Sequence, residues 1–307
     1  MSTDAPLVEA ASSWPACAIP PLPPERGYES SATAELQPRY EDIAQNGRVQ
    51  LTTLMPGLGA VWRALGSSKK LDRFRAQGIL PILRRLVIVG EPGPFSPEVP
   101  IQFEGTWRLA RERGGDRIFA DMWLDAFAPS GSILARPKPD AERVLVGRAY
   151  AEHVVTRPFA PPAERKVTRL DAPGLPAVPE DEHTFEEAEA LVAGRSPELE
   201  RAGEVVFGMM HTDSNQHVNS LVYPRLFEEA VVRAACQRAD IRDPSSLLAR
   251  AVELRYRKPF FTGERATIAL QLEPTTSGPH RAVAVGAFSP AATKGSKPSC
   301  TVAMWLH

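Results

Sequence analysis

The 307-residue sequence predicts an α+β protein built from two repeats, each a helix followed by a run of antiparallel strands. Three observations predict it: short segments recur in the same order in both halves, each half holds one helix-period apolar stripe, and strand-like stretches follow each stripe. AVWRA at Ala60 to Ala64 returns as AVVRA at Ala230 to Ala234, an offset of 170. FSPE at Phe95 to Glu98 returns as FTGE at Phe261 to Glu264, and AFAP at Ala126 to Pro129 as AFSP at Ala287 to Pro290, with offsets of 166 and 161. The matches are collinear, and the offset drifts one way, as small length changes would make it.

The elements follow from local pattern. In the second half Glu204 to Met210 reads as a strand and the polar loop HTDSNQH follows. A helix then carries Leu221, Val222, Leu226, Phe227, Ala230, Val231, Ala234 and Ala235 on one broad face, with Arg225, Glu228, Glu229 and Arg233 largely outside it. Strands are expected at Ala251 to Arg257, Arg265 to Leu272, Ala282 to Phe288 and Cys300 to Leu306, separated by Gly, Pro and Ser turn signals. The first-half series is Arg48 to Leu51, a helix near Leu58 to Leu65, then Leu83 to Val89, Val99 to Arg111, Arg117 to Phe127 and Arg143 to Val155. Each apolar stripe should lie across the concave face of its own sheet. The two sheets should join edge to edge, covering an edge that would otherwise invite aggregation.

Thirty prolines punctuate the chain. A cluster from Pro15 to Pro24 makes residues 1–34 an extended arm, and a second from Pro158 to Pro179 opens a linker over 161–200, with one short helix near Thr184 to Ala193. The repeats then occupy 35–160 and 201–307. With 36 basic residues against 37 acidic, a net charge of -1 gives no footprint for a nucleic-acid backbone or an anionic membrane. Cys17, Cys236 and Cys300 are odd in number and far apart, against a disulfide framework or a thiolate metal site. The first thirty residues lack a basic n-region and an unbroken apolar run, and no stretch reaches membrane-spanning length, so the expectation is a cytoplasmic protein.

The most informative stretch is Asp213-Ser-Asn-Gln-His-Val-Asn-Ser-Leu-Val-Tyr223. DSNQHVNSLVYPRLFEE resembles the D-x-N-x-H-V-N-N-x-x-Y signature of hotdog-fold thioesterases, most of all the acyl-ACP thioesterases, through Asp213, Asn215, His217, Val218, Asn219, Tyr223 and Glu228. AVELRYRKPFFTGE resembles the second strand of such a domain. The resemblance implies a double hotdog over residues 35–307 and a thioesterase acting on an acyl chain carried by acyl carrier protein or CoA, with no metal and no organic cofactor. It also implies a reactive second repeat and a first repeat that shapes the acyl pocket, which Trp62, Trp107, Phe119 and Trp123 could line. Where plant-type relatives place Glu-Cys after the next strand, this sequence has Tyr256-Arg-Lys-Pro-Phe260, which makes Asp213 the more important.

The chemistry can be argued from the residues too. Thioester hydrolysis needs an activated water or a nucleophile, plus donors for the developing oxyanion. Asp213 and His217 lie four apart at the mouth of a helix and can face one pocket. Asp213 is assigned as general base or nucleophile, Asn215 as a positioning group and His217 as a partner that orients or protonates. Backbone N–H groups near Val218 to Ser220 are expected to be unpaired and to suit an oxyanion. The bland reading of TDSN is helix capping alone. His211, Asp213 and His217 have the types of metal ligands, but no further ligand cluster accompanies them. Substrate-binding candidates are Val218, Asn219, Tyr223, Arg255, Arg257 and Lys258, with a second basic run at Lys69, Lys70, Arg73 and Arg75. Pro224 is expected to kink the helix or delay its start, and Pro56 sits at the comparable place in the first half. A hotdog dehydratase or cyclase, and a non-catalytic acyl-thioester binder, are the rival readings. The intrachain repeat makes a monomer feasible, with a homodimer as the alternative.

Overall fold

The computed structural model describes residues 19, 30–64, 74–91, 94–112, 115–131, 137–138, 140–170, 178, 182–183, 199–241, 243, 247–275, 281–291 and 297–307. The first repeat contains β1 (Ser30–Leu36), α1 (Leu54–Ala64), β2 (Leu80–Gly90), β3 (Ile101–Glu112), β4 (Ile118–Pro129) and β5 (Arg143–Thr156). A two-residue strand, β6 (Glu182–His183), follows. The second repeat contains β7 (Glu200–Val206), α2 (Val222–Cys236), β8 (Ala249–Tyr256), β9 (Arg265–Pro274), β10 (Ala282–Pro290) and β11 (Cys300–Leu306).

All the strands form one sheet in the order β1-β3-β4-β5-β2-β8-β11-β10-β9-β7, with β6 pairing β3. The order reads the same from either end, so each repeat is the counterpart of the other about the β2–β8 seam. The sequence recurrences fall where they should: AVWRA and AVVRA in α1 and α2, FSPE and FTGE after β2 and β8, AFAP and AFSP at the ends of β4 and β10. This is the α+β double-hotdog architecture that the resemblance implies. Among the described residues no helix is long and apolar enough to cross a membrane.

Each helix lies close on its own sheet because glycines clear the way. A Cβ on Gly105 would sit 2.5 Å from the Val61 side chain, one on Gly147 2.5 Å from Leu54, and one on Gly286 2.6 Å from the Phe227 ring. Val61, Leu54 and Phe227 can therefore sink onto the strands, and all three are buried in the main apolar cluster. Along β4 and β8 the side chains alternate. Met122, Leu124, Val252 and Leu254 face the helices, whereas Trp123 and Glu253 face the other way.

The far face holds a charge cluster at the seam. Arg85 and Arg255 stand directly opposite one another in the β2–β8 register. Both guanidinium groups reach the same oxygen of Glu253, at 2.9 Å, with all three side chains largely buried. Further along, Tyr150 donates to Asp121 at 3.1 Å and Arg108 lies 3.5 Å from the same carboxylate.

The structure departs from the sequence expectation in several places. Arg48 to Leu51 is no strand: Val49 makes one isolated bridge to Ile43, and Leu51–Thr53 is a short 3-10 helix, because Asn46-Gly47 closes a tight turn there. The expected strand at Glu204 to Met210 ends at Val206 for a related reason, since the chain bends into a 3-10 helix over Met209–His211. β1 begins at Ser30, within the stretch assigned to the arm, and pairs with β3 along its whole length. Pro224 and Pro56 each take the third position of their helix, where the N–H would have no intrahelical acceptor, so the first turn accepts proline at no cost in hydrogen bonds. The helix expected near Thr184 to Ala193 lies outside the described residues, as do Lys69, Lys70 and Arg73. Arg75 is described and exposed.

Two predictions follow from burial. Glu253→Ala leaves two facing guanidinium groups with no shared carboxylate and should cost about 3–5 kcal/mol in denaturant unfolding. A loss under about 1 kcal/mol would show that the seam does not depend on the carboxylate. Glu228 accepts the Ala249 N–H at 2.9 Å, and its burial pushes its pKa above the usual range despite that bond. An acid whose pKa is raised in the folded state stabilises most below its unfolded pKa and loses that contribution as pH rises through the folded value. Glu228→Gln should therefore melt higher than wild type at pH 8, with the gap closing as pH falls toward 5.

Candidate functional site

The reactive candidates sit on a turn that the chain makes twice. Thr212 and Val218 form an isolated antiparallel bridge, and Ile43 and Val49 form the same one, at an offset of 169. Inside it the hydrogen bonds repeat: Asp213 N–H to His217 O and Gln216 N–H to Asp213 O in the second repeat, Ala44 N–H to Arg48 O and Gly47 N–H to Ala44 O in the first. The register makes Ala44 the counterpart of Asp213, Arg48 of His217 and Gln50 of Asn219. Of the four polar positions, Asn46 alone keeps the residue type of its partner, Asn215. The turn needs a left-handed residue, which is Gly47 (φ 80°) in the first repeat and Gln216 (φ 65°) in the second. A glutamine there costs about 1–2 kcal/mol that glycine avoids.

Asp213 is gripped at both oxygens. Its Oδ1 accepts the Asn215 N–H at 2.9 Å, an Asx-turn, and its Oδ2 accepts the Asn219 side-chain amide at 3.0 Å. The same Asn219 accepts the Leu221 N–H at 2.8 Å through its Oδ1. Asn219 thus supplies the side-chain acceptor at the start of α2 and holds the carboxylate with its other end. Behind the turn, Tyr256 donates its hydroxyl to the Ser220 carbonyl at 2.9 Å. The counterpart of Tyr256 on β2 is Gly90, so the first repeat lacks this prop.

The histidines take distinct roles. His211 accepts the Gly208 N–H at Nδ1, 3.0 Å, so its neutral ring carries the proton on Nε2. Asp42 makes the corresponding bond, to the Arg39 N–H at 2.9 Å, in the first repeat. His217 lies with Nδ1 3.3 Å from the Val218 carbonyl. A carbonyl can only accept, so this contact puts the proton on Nδ1 and leaves Nε2 able to take one. Among the described residues no three His, Cys, Asp or Glu side chains gather closely enough to hold a metal ion.

The expected row of unpaired N–H groups is reduced to one. Val218 N–H bonds the Phe260 carbonyl at 2.8 Å and Asn219 N–H bonds the His211 carbonyl at 2.9 Å. Closure of the turn against neighbouring strands consumes both. Ser220 N–H is the one of the three with no partner among the described residues, and it lies just before α2, where positive dipole accumulates.

The structure brings together Asp213, Asn215, His217 and Asn219, with the Asn215 side chain itself exposed. Val218 and Tyr223 lie in the core beneath them, the Tyr223 ring packed among Phe207, Tyr256, Phe260 and Phe288, where burial raises its pKa. Arg255 points to the far face of the sheet and pairs with Glu253. Arg257 donates to the carbonyls of Lys297 and Pro298, and Lys258 is exposed. Trp62 and Trp107 pack edge to face on the helix side, whereas Trp123 packs at a tilt against Tyr150 on the opposite side. Phe119 is fully buried. Sequence reasoning missed Tyr256 and the linking role of Asn219. The signal was there in part, since Tyr256 stands five residues before FTGE where Gly90 stands five residues before FSPE.

If Asn219 ties the turn to the helix, Asn219→Ala should cost about 0.5–2 kcal/mol in denaturant unfolding. Asn215→Ala, which removes an exposed amide, should stay within about 0.5 kcal/mol of wild type. Equal costs for the two variants would contradict the arrangement.

Residues 207–288 match the Thioesterase-like superfamily. No curated protein matches the chain by sequence. Among solved structures, a provisionally named oleoyl thioesterase from Lactobacillus plantarum superposes with a TM-score of 0.59 at 13% identity, covering 92% of this chain and 96% of its own. The 12:0-ACP thioesterase from Umbellularia californica gives 0.57 at 12% identity, with 90% and 94% covered. An acyl-ACP thioesterase from Bacteroides thetaiotaomicron gives 0.54 at 13%, with 90% and 98% covered. At such identities the likeness is one of fold, and it extends over nearly the whole of each chain. The protein has the double-hotdog fold, and within its second repeat residues 207–288 match the Thioesterase-like superfamily.

Proposed function

We propose that this protein is an acyl thioesterase that hydrolyses a carrier-bound acyl thioester to the free acid, with its one reactive site on the second repeat. The observation that carries the reading is the doubly held Asp213 carboxylate, on the same turn as His217 and just ahead of the Ser220 N–H that precedes α2. The same turn in the first repeat has Ala44 and Arg48 and no carboxylate there. Simple helix capping would not need Asn219 to hold the acid as well. The superfamily match over this repeat and the acyl-ACP thioesterases among the structural neighbours support an acyl thioester as substrate.

The chemistry needs only the chain and water. Asp213 takes a proton from water as the oxygen attacks the thioester carbonyl, and the oxyanion that forms meets the Ser220 N–H. Collapse breaks the C–S bond. The proton passes to the departing sulfur through Asp213 or His217 Nε2, which leaves a carboxylic acid and a thiol.

Thiol release from short, medium, long and aromatic acyl thioesters, on CoA and on acyl carrier protein, tests the reading. Asp213→Ala should lower kcat by about a hundredfold or more with the fold intact. His217→Ala should also slow turnover. Binding without thiol release from any substrate would overturn hydrolysis in favour of a binder, and conversion of the acyl chain with the thioester retained would point to a dehydratase or cyclase.

A further inference from the structure

Seven large apolar side chains are exposed among the described residues, and four of them gather beside the candidate site. Met209 is 77% exposed, Met210 94%, Val206 53% and Phe261 48%. Met209 and Met210 sit on the 3-10 turn that leads into His211, and Val206 ends the strand just before it. The Phe261 turn is fastened to the same place: Gly263 N–H bonds the Phe207 carbonyl, and the hydroxyls of Thr262 and Thr212 meet at 3.4 Å. The four residues form one doorstep next to Asp213.

Folding does not require it. The first repeat makes the same turn with Tyr40, Glu41 and Asp42, where Arg39 pairs with both acids and the Tyr40 hydroxyl bonds Glu98. Among the described residues, the first repeat sets a single exposed ring, Tyr40, where the second sets Met209 and Met210. Nor do the basic residues that the sequence offers for a phosphate surround it. Arg255 is bound to Glu253 on the far face, and Arg257 is spent on backbone carbonyls. Lys258 and Arg265, the latter opposite Val206 in the β7–β9 register, are exposed cations with no ion-pair partner among the described residues.

We propose that Met209, Met210, Phe261 and Val206 form the docking surface for a protein carrier of the acyl group, contacted chiefly through apolar side chains, with Lys258 and Arg265 meeting acids at its rim. A CoA nucleotide would lay several phosphates against methionines with two cations at hand. A carrier protein with an apolar ridge flanked by a few acids matches the patch in both polarity and charge. Methionine suits such a surface because its flexible thioether adapts to a partner. The inference rests on the thioesterase reading and adds to it how the carrier is recognised.

The test compares one acyl group on acyl carrier protein and on pantetheine, hydrolysed by the full-length protein and by the Met209→Gln/Met210→Gln double variant. Both positions are exposed, and a melting curve checks that the variant folds. The ratio of kcat/KM on the carrier to kcat/KM on pantetheine should fall about tenfold or more. The carrier KM of wild type should change little between about 50 and 300 mM salt. An unchanged ratio, or a steep salt dependence, overturns the proposal. Should the protein release no thiol at all, calorimetric titration with a carrier bearing a non-hydrolysable thioether analogue answers separately: weaker binding by the variant supports the doorstep, equal binding sinks it. Loss of co-sedimentation with phosphatidylglycerol vesicles, with carrier binding intact, would assign the patch to a lipid surface instead.

Discussion

Arg85 and Arg255 face each other across the seam between the two repeats, and Glu253 is what lets them do so. Like charges directly opposite in a sheet repel, and more strongly where water is scarce. One carboxylate shared by both turns that repulsion into a three-membered ion cluster that only the correct β2–β8 register can assemble. A slip by one residue would send Glu253 to the helix face, away from Arg85. The seam in turn removes one open edge from each repeat and sets the starts of both helices near one another, where Arg225 of α2 reaches the Thr52 hydroxyl of the first repeat.

On that common scaffold the two repeats keep the backbone of the turn before each helix and differ there in their side chains. The turn before each helix has the same bridge and the same hydrogen bonds. Its contents differ: Asp213 against Ala44, His217 against Arg48, Asn219 against Gln50. Tyr256 props the second turn where Gly90 stands on β2, and Gln216 takes a strained conformation that Gly47 adopts freely. Strain tends to collect where function demands a particular backbone, and here it falls in the repeat that also carries the carboxylate.

Much of this was legible in the sequence because it is periodic. The apolar stripes of the helices and most of the strands rest on spacings of 3.6 or two residues and on turn residues, and the collinear repeats on short recurring segments. Residues 213–219 stood out because their types and spacing are specific. The parts that could not be read depend on the third dimension. Arg255, Arg257 and Lys258 look like one basic run, yet strand parity sends Arg255 to the far face and a neighbouring loop captures Arg257. The Val218 and Asn219 N–H groups look free at a helix start until Phe260 and His211 are folded against them. Tyr223 is a motif residue whose ring the structure buries among four other aromatics. None of these partners lies within reach along the chain, except His211, whose carbonyl approaches only once the turn has closed.

The seam also has a consequence for how the protein behaves as it is diluted. Two separate chains joined by a strand pair would part as their concentration fell, and each would expose a bare edge. Here the halves are covalently tethered, so the pairing of β2 with β8 is unimolecular and its equilibrium is indifferent to protein concentration. A substitution also enters one half without entering the other. That freedom permits Ala44 and Arg48 in one copy of the turn while Asp213 and His217 stand in the other, something a symmetric pair of identical chains could never hold.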